Sequence, residues 1–297
     1  MGLIDMTLVL IGPACEDLII IGNEKSSRIG GASYFQSFVY EEFYDDYIAI
    51  VNAQNTDLIN EFPDMSKTEL ILKDDTHYFI NEYPDKDNRD IRKQSTNFAD
   101  IPILADDLKA IFNNLGLNED NIDAFVINPL NSNDIPLETL EYLNSFNLPI
   151  FISLQGFLRF KDKDNSMVLK SYEDLDYIFN IAEAIFLDEK ELKIVSDEDK
   201  SDSKIEIQDI GFDEKTNTIF IITNGSKGSR ITDFKGINIK IDSVKCDNIV
   251  DATGCGDSYM AAFISNLLNG NDLKDSGDFA SLIASKKLEF FGPYRTD

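Results

Sequence analysis

The sequence holds one histidine, three cysteines and half as many basic residues as acidic ones, 27 against 54. With His77 as the sole imidazole, neither a Ser-His-Asp hydrolase nor a multi-histidine metal site can be built. Cys15, Cys246 and Cys255 lack metal-type spacing, and their odd number argues against a disulfide framework; a reducing cytoplasm is the compartment expected. The shortage of positive charge leaves a net charge of −27, which repels nucleic acid and anionic membranes, so neither is expected as a partner. A local loop field can oppose the global one, so an anionic small molecule stays open. Long apolar runs are missing too. Ile19-Ile20-Ile21 and Ile219-Phe220-Ile221-Ile222 fall far short of the ~18 residues a membrane helix needs. Met1 to Gly12 has no basic start and no cleavage site, so no signal peptide is expected.

What is present suffices for a packed core: 297 residues, 43% hydrophobic, with 21 Phe and 11 Tyr. Apolar runs at 8–11, 18–21, 47–51, 124–127, 150–153, 184–187 and 218–223 read as buried strands. Helix-like spacing follows at 35–43, 104–115, 136–146, 173–181, 257–269 and 276–290. This alternation indicates a parallel sheet with crossovers. Residues 68–96 break the rhythm with short alternating pieces and a polar stretch at 85–90, read as an antiparallel flap beside the main sheet. Residues 196–204 read as an acidic surface loop. No internal repeat or long linker divides the chain.

The richest stretch is Asp251-Ala252-Thr253-Gly254-Cys255-Gly256-Asp257, which runs directly into a helical pattern. Gly254 and Gly256 let backbone N–H groups converge, and the helix adds its positive end to the same point. Such a loop suits a phosphate or a developing oxyanion. Asp257 would stand at the helix start as an N-cap and a proton acceptor. A Gly-rich turn with a capping Asp and no ligand would read the same way.

The heptapeptide closely resembles the C-terminal signature of the PfkB (ribokinase-like) family of carbohydrate and nucleoside kinases, D-T-x-G-A-G-D, with Ala252 and Cys255 as departures that stay small. Other family motifs follow in order along the chain. Asp17 resembles the acid that binds sugar hydroxyls, and Gly30-Gly31 the N-terminal glycine pair. Gln155-Gly156-Phe157-Leu158-Arg159 is similar to a Q-G-x-x-R segment of inositol-kinase-like members. Asp188 and Glu191 stand where N-x-x-E is usual, with Asp188 in place of Asn. Thr223, Gly225 and Gly228 resemble the T-x-G-x-x-G nucleotide segment, and Ser281 falls on the helix that borders the adenine. Taken singly, these are also a strand-edge acid, a helix turn and a hairpin.

The resemblance implies a ribokinase-like three-layer α/β/α sandwich, one domain over 1–297, with a mainly parallel sheet and a small β lid from about 14–30 and 68–98, carrying Asn81 and Arg89. It implies transfer of the γ-phosphate of ATP to a hydroxyl of a small sugar or polyol. Asp257 would be the base, and the amides of Gly254, Cys255 and Gly256 the anion hole. Asp17, Gly30, Gly31, Gln155 and Arg159 would meet the substrate. Asp188, Glu191, Thr223, Gly225, Gly228 and Ser281 would meet ATP. Glu191 would place Mg2+ through water, while Asp251 and Thr253 resemble the monovalent-cation loop of some members, which implies K+. A nucleoside acceptor stays open, since Tyr78 and Phe79 of the lid could stack on a base. So does a catalytically silent ligand-binding relative. A Rossmann dehydrogenase does not: Gly12-Pro13 stands where G-x-G-x-x-G is needed. An exposed flap buries its apolar face and edges best against a second copy, so a homodimer through the lid is expected.

Overall fold

The computed structural model describes residues 6–83, 93–163, 166–196, 206–210 and 216–296. In chain order the elements are β1 (Thr7–Ile11), β2 (Cys15–Ile21), β3 (Glu24–Gly30), α1 (Ala32–Phe43), β4 (Tyr47–Ala53), β5 (Thr68–Leu72), β6 (His77–Tyr83) and β7 (Lys93–Thr96). Then come α2 (Ala105–Leu115), β8 (Ile122–Ile127), α3 (Leu137–Asn144), β9 (Ile150–Ser153), β10 (Arg159–Lys161), β11 (Met167–Leu169) and α4 (Leu175–Ile181). The remainder is β12 (Ala184–Asp188), α5 (Glu189–Val195), β13 (Ile219–Thr223), β14 (Ser229–Thr232), β15 (Asn238–Ile241), α6 (Cys255–Leu268) and α7 (Leu273–Lys287).

Nine strands form one sheet in the order β15-β14-β13-β12-β9-β8-β1-β4-β5. From β13 to β5 every pairing is parallel, and only the β13–β14 and β14–β15 pairings are antiparallel. The central strands are continuous apolar runs because both faces are covered. β1 shows the logic. Leu8 and Leu10 point into the core shared with α1, α6 and α7, while Val9 and Ile11 point into the core shared with α2 to α5. The two-residue period of one strand thus serves two helical layers. Helix α6 packs between α1 and α7. It is buried without a break from Ser258 to Ser265, so it lacks a polar face.

A second sheet of four strands, β3-β2-β6-β7, stands apart from the first. Its middle pair, β2 with β6, is parallel, so the flap is not the all-antiparallel unit expected from its sequence. Thr68–Leu72, also expected in the flap, instead pairs parallel with β4 at the edge of the large sheet. The chain's one histidine anchors the small sheet. His77 is fully buried on β6, and its Nε2 lies 2.9 Å from Asp134 Oδ1. The polar stretch at 85–90, with Arg89, and the loop at 197–204 lie outside the described residues.

Candidate active site

A cleft of about 810 Å³ opens where the carboxyl ends of four parallel strands meet the small sheet. Ser153 closes β9, Asp188 closes β12, Thr223 closes β13, and Pro129 and Leu130 follow β8; all line it. Across from them stand Asp17, Arg28, Phe79, Asn81 and Gln94 of the small sheet. Crevices at strand carboxyl ends are where open α/β sheets take ligands.

The floor is the turn into α6. Helix α6 starts at Cys255, so Gly254 is the N-cap and Asp257 sits in the first turn as its third residue, not as the cap expected from the sequence. Gly254 has φ 77, and a Cβ there would lie 2.3 Å from the Phe35 ring. Only glycine combines that backbone with that approach. The Cys255 amide donates to Ala252 O at 3.3 Å. Among the described residues, the amides of Gly254, Gly256 and Asp257 have no protein acceptor, and these three residues line the cleft. Cys255 does not line it, and burial pushes its thiol up to about 12. Burial also raises the Asp257 carboxyl to about 6, against the opposing fields of Arg159 and Lys287.

Asp251 opens the turn and is held from several sides. Its Oδ1 accepts from the Thr253 amide at 3.0 Å, and its Oδ2 from Arg28 Nη1 at 2.8 Å and the Gly292 amide at 3.3 Å. Arg28 Nη2 donates to Thr253 Oγ1 at 2.8 Å, its Nε lies 3.7 Å from Asp17 Oδ2, and its guanidinium stands 5.2 Å from the Phe291 ring centre. Burial alone would raise the Asp251 carboxyl, but the Thr253 amide, Arg28 and Lys287 hold it below its ordinary value.

At the end of β12, Asp188 is the N-cap of α5 in a capping box with Glu191. Asp188 Oδ1 accepts from the amides of Lys190 at 2.7 Å and Glu191 at 2.8 Å, while Glu191 Oε2 accepts from the Asp188 amide at 2.8 Å. Burial and the neighbouring Asp188 charge push Glu191 up to about 7. Both carboxylates line the cleft, and hard oxygen donors of this kind fit a hydrated Mg2+. Among the described residues, no group of three His, Cys, Asp or Glu side chains could hold a metal ion directly.

Nearly the whole chain superimposes on solved structures. A pyrophosphate-dependent kinase in the ribokinase family, complexed with a pyrophosphate analogue and myo-inositol, matches with TM-score 0.77 and 19% identity over 97% of both chains. Ribokinase from Arabidopsis thaliana, complexed with ribose and ATP, matches with TM-score 0.71 and 15% identity over 97% of this chain and 94% of that one. This is the ribokinase fold. Residues 153–295 match the family model of the pfkB family carbohydrate kinases, which bears out the resemblance drawn from the motifs. A nucleoside kinase of Methanothermobacter thermautotrophicus is 32% identical over 128 residues, 43% of this chain and 38% of that protein. The chain therefore spans about two fifths of that relative's length.

Within the ribokinase fold, most residues singled out from the sequence gather at one cleft. Asp17, Gly31, Gln155, Arg159, Asp188, Glu191, Thr223, Gly225, Asp251, Thr253, Gly254, Gly256 and Asp257 all line it. Gly30 packs just behind, where a Cβ would lie 2.8 Å from Asp17 Oδ2. Gly228 and Ser281 lie off the cleft lining. Gly228 packs against Ile241 O, completing the hairpin that joins β13 to β14. Ser281 Oγ donates to Asp242 O at 2.9 Å and accepts from the Val244 amide at 3.1 Å, so it braces the segment after β15. Of the two lid aromatics, Phe79 lines the cleft and Tyr78 does not. Two residues that sequence reasoning missed are Arg28 and Lys287. Both make their contacts across the fold, and Lys287 alone carried a local hint: it repeats the spacing of the buried Ala280 and Ile283 on α7.

Proposed function

We propose that the protein is a kinase that moves the γ-phosphate of ATP to a hydroxyl of a small sugar or polyol. The observation that carries this reading is Asp257: a half-buried carboxyl raised to about 6, next to the unaccepted amides of Gly254 and Gly256 at the start of a helix. A base beside an anion hole is the arrangement an alcohol-to-phosphate transfer requires. Asp257 takes the acceptor's proton as the oxygen attacks. The amides and the helix end meet the charge on the transferring group, and Arg159 adds a positive side chain to the same wall. Asp17, Asn81, Gln94 and Gln155 offer hydrogen bonds to the other hydroxyls of a small polyol. Asp188 and Glu191 would hold hydrated Mg2+, whose part when bound is to offset phosphate charge. Turnover should fall as pH drops below about 6, where Asp257 takes up its proton.

A nucleoside acceptor is the second reading. It is favoured by the flat ring of Phe79 in the cleft and by the relative named nucleoside kinase. The donor is also open to test, because the neighbour bound to myo-inositol is pyrophosphate-dependent. Phosphoryl transfer should be measured with ribose, fructose, myo-inositol, adenosine and cytidine, each with ATP or pyrophosphate and Mg2+. Transfer from ATP to a sugar or to myo-inositol is expected. Turnover of nucleosides alone would select the second reading. Nucleotide binding with transfer to none of them would leave a catalytically silent ligand-binding protein.

A further inference from the structure

The loop expected to receive a monovalent cation already holds a cation of its own. Lys287, in the last turn of α7, is fully buried. Its Nζ donates to Asp251 O at 2.8 Å and lies 3.8 Å from Asp251 Oδ2. Four oxygens of Asp251 and Thr253 that a metal ion could use at this turn are taken. Asp251 O is bound by the ammonium, Asp251 Oδ2 by Arg28 and the Gly292 amide, Asp251 Oδ1 by the Thr253 amide, and Thr253 Oγ1 by Arg28. A potassium ion added there would face an ammonium and a guanidinium at close range, and like charges at that distance repel. The K+ implied by the family resemblance therefore does not fit this chain.

We propose that the buried ammonium of Lys287 is an internal cation that fixes the turn 251–254, so that phosphoryl transfer by this protein needs no potassium. The inference rests on the kinase reading for its kinetic consequences and on geometry alone for its structural one. A buried ammonium is costly unless it is paired. Here its partners are the carbonyl and carboxylate of one residue, at the point where the anion-binding turn begins. The turn is tied to the same helix end by its backbone, since the amides of Val250 and Asp251 donate to Leu288 O at 2.8 and 3.2 Å. Lys287 thus cannot move without carrying the turn with it. Its charge also acts on Asp257, which it helps to keep ionised. Lys287 is accordingly a positioning residue; Gly254, Gly256 and Asp257 are the residues that would meet the reactants.

The test compares potassium chloride with tetramethylammonium chloride at equal ionic strength, reading both thermal unfolding and turnover. For the wild type, the midpoint is expected to be the same in both salts, and turnover to agree within about twofold. A saturable rise in the midpoint with potassium, or potassium stimulation of turnover by tenfold or more, would overturn the proposal. The unfolding arm stands even if none of the acceptors is phosphorylated, so failure of the kinase reading is distinguishable from failure of this one. For Lys287→Met, turnover should drop at least tenfold with little change in KM for the acceptor. The acid limb of its pH profile should move to higher pH, and potassium or ammonium ions should restore part of the rate. A folded Lys287→Met with unchanged turnover and pH profile would also overturn the proposal. Should that variant fail to fold, the wild-type comparison still decides.

Discussion

Asp257 and Glu191 are raised on folding from ordinary values of 3.8 and 4.5 to about 6 and about 7. A carboxyl raised in this way keeps its proton in the native protein at pH values where the unfolded chain has lost it. Its contribution to stability is therefore greatest in acid and falls as pH rises, from about 4 to 6 for Asp257 and to 7 for Glu191. At ~1.4 kcal/mol per pKa unit, each charge costs up to about 3 kcal/mol of stability once ionised. Asp257→Asn is thus expected to raise stability at pH 8 by about 2 kcal/mol and to leave it nearly unchanged at pH 4, as read by urea unfolding. An equal effect at both pH values would show that the Asp257 charge is not held in a desolvated place. The same comparison for Glu191→Gln should show a stabilisation that grows from about pH 4.5 and is complete only near pH 7, a unit above the point where that of Asp257→Asn levels off.

Among the elements, the turn into α6 separates what the fold needs from what the proposed chemistry needs. Gly254 has φ 77 and lies against the Phe35 ring, so Gly254→Ala is expected to destabilise by at least ~2 kcal/mol. A Cβ at Gly256 would meet nothing within 4 Å, and alanine is the better helix former. Gly256→Ala should therefore fold as well as the wild type while placing a methyl group in the cleft and losing transfer. Urea unfolding and turnover, measured on both variants, check the contrast. The α6 turn was legible in the sequence because its signal is local: two glycines, an acid and a helical run within a few residues. The central strands were legible because burial on both faces leaves an unbroken apolar run. Thr68–Leu72 was misplaced for the opposite reason. As an edge strand it is half-covered, with Leu72 65% exposed, and it reads like a flap strand although its partner is β4. Arg28 was illegible because its partners Asp251 and Thr253 lie more than 220 positions away, and no spacing records such a contact. Ser281 is expected at the adenine from family position alone, and no local spacing records that its hydroxyl also bonds Asp242 O and the Val244 amide.

Over the whole molecule, a large sheet supplies one wall of the cleft and a small sheet the other, and Arg28 joins them by binding Asp17, Asp251 and Thr253. Among the described residues, no helix is long and apolar enough to cross a membrane. The small sheet ends in β3, which pairs on one side only among the described strands, and in β7, whose outer side is bridged at Ser95 to Ser166, so the open edge is that of β3. Open edges of this kind favour pairing with a second copy. A homodimer through the small sheet is therefore expected by light scattering at two concentrations, and a strict monomer at both would count against it. The account as a whole turns on a carboxyl and three amides acting together at one end of α6. Single-turnover transfer from ATP to the preferred acceptor at pH 8, with wild type and Asp257→Asn side by side, tests it most directly. The account predicts a loss of ~10²–10⁴-fold in the transfer rate with nucleotide affinity retained. Transfer at a near wild-type rate by a folded Asp257→Asn would contradict it.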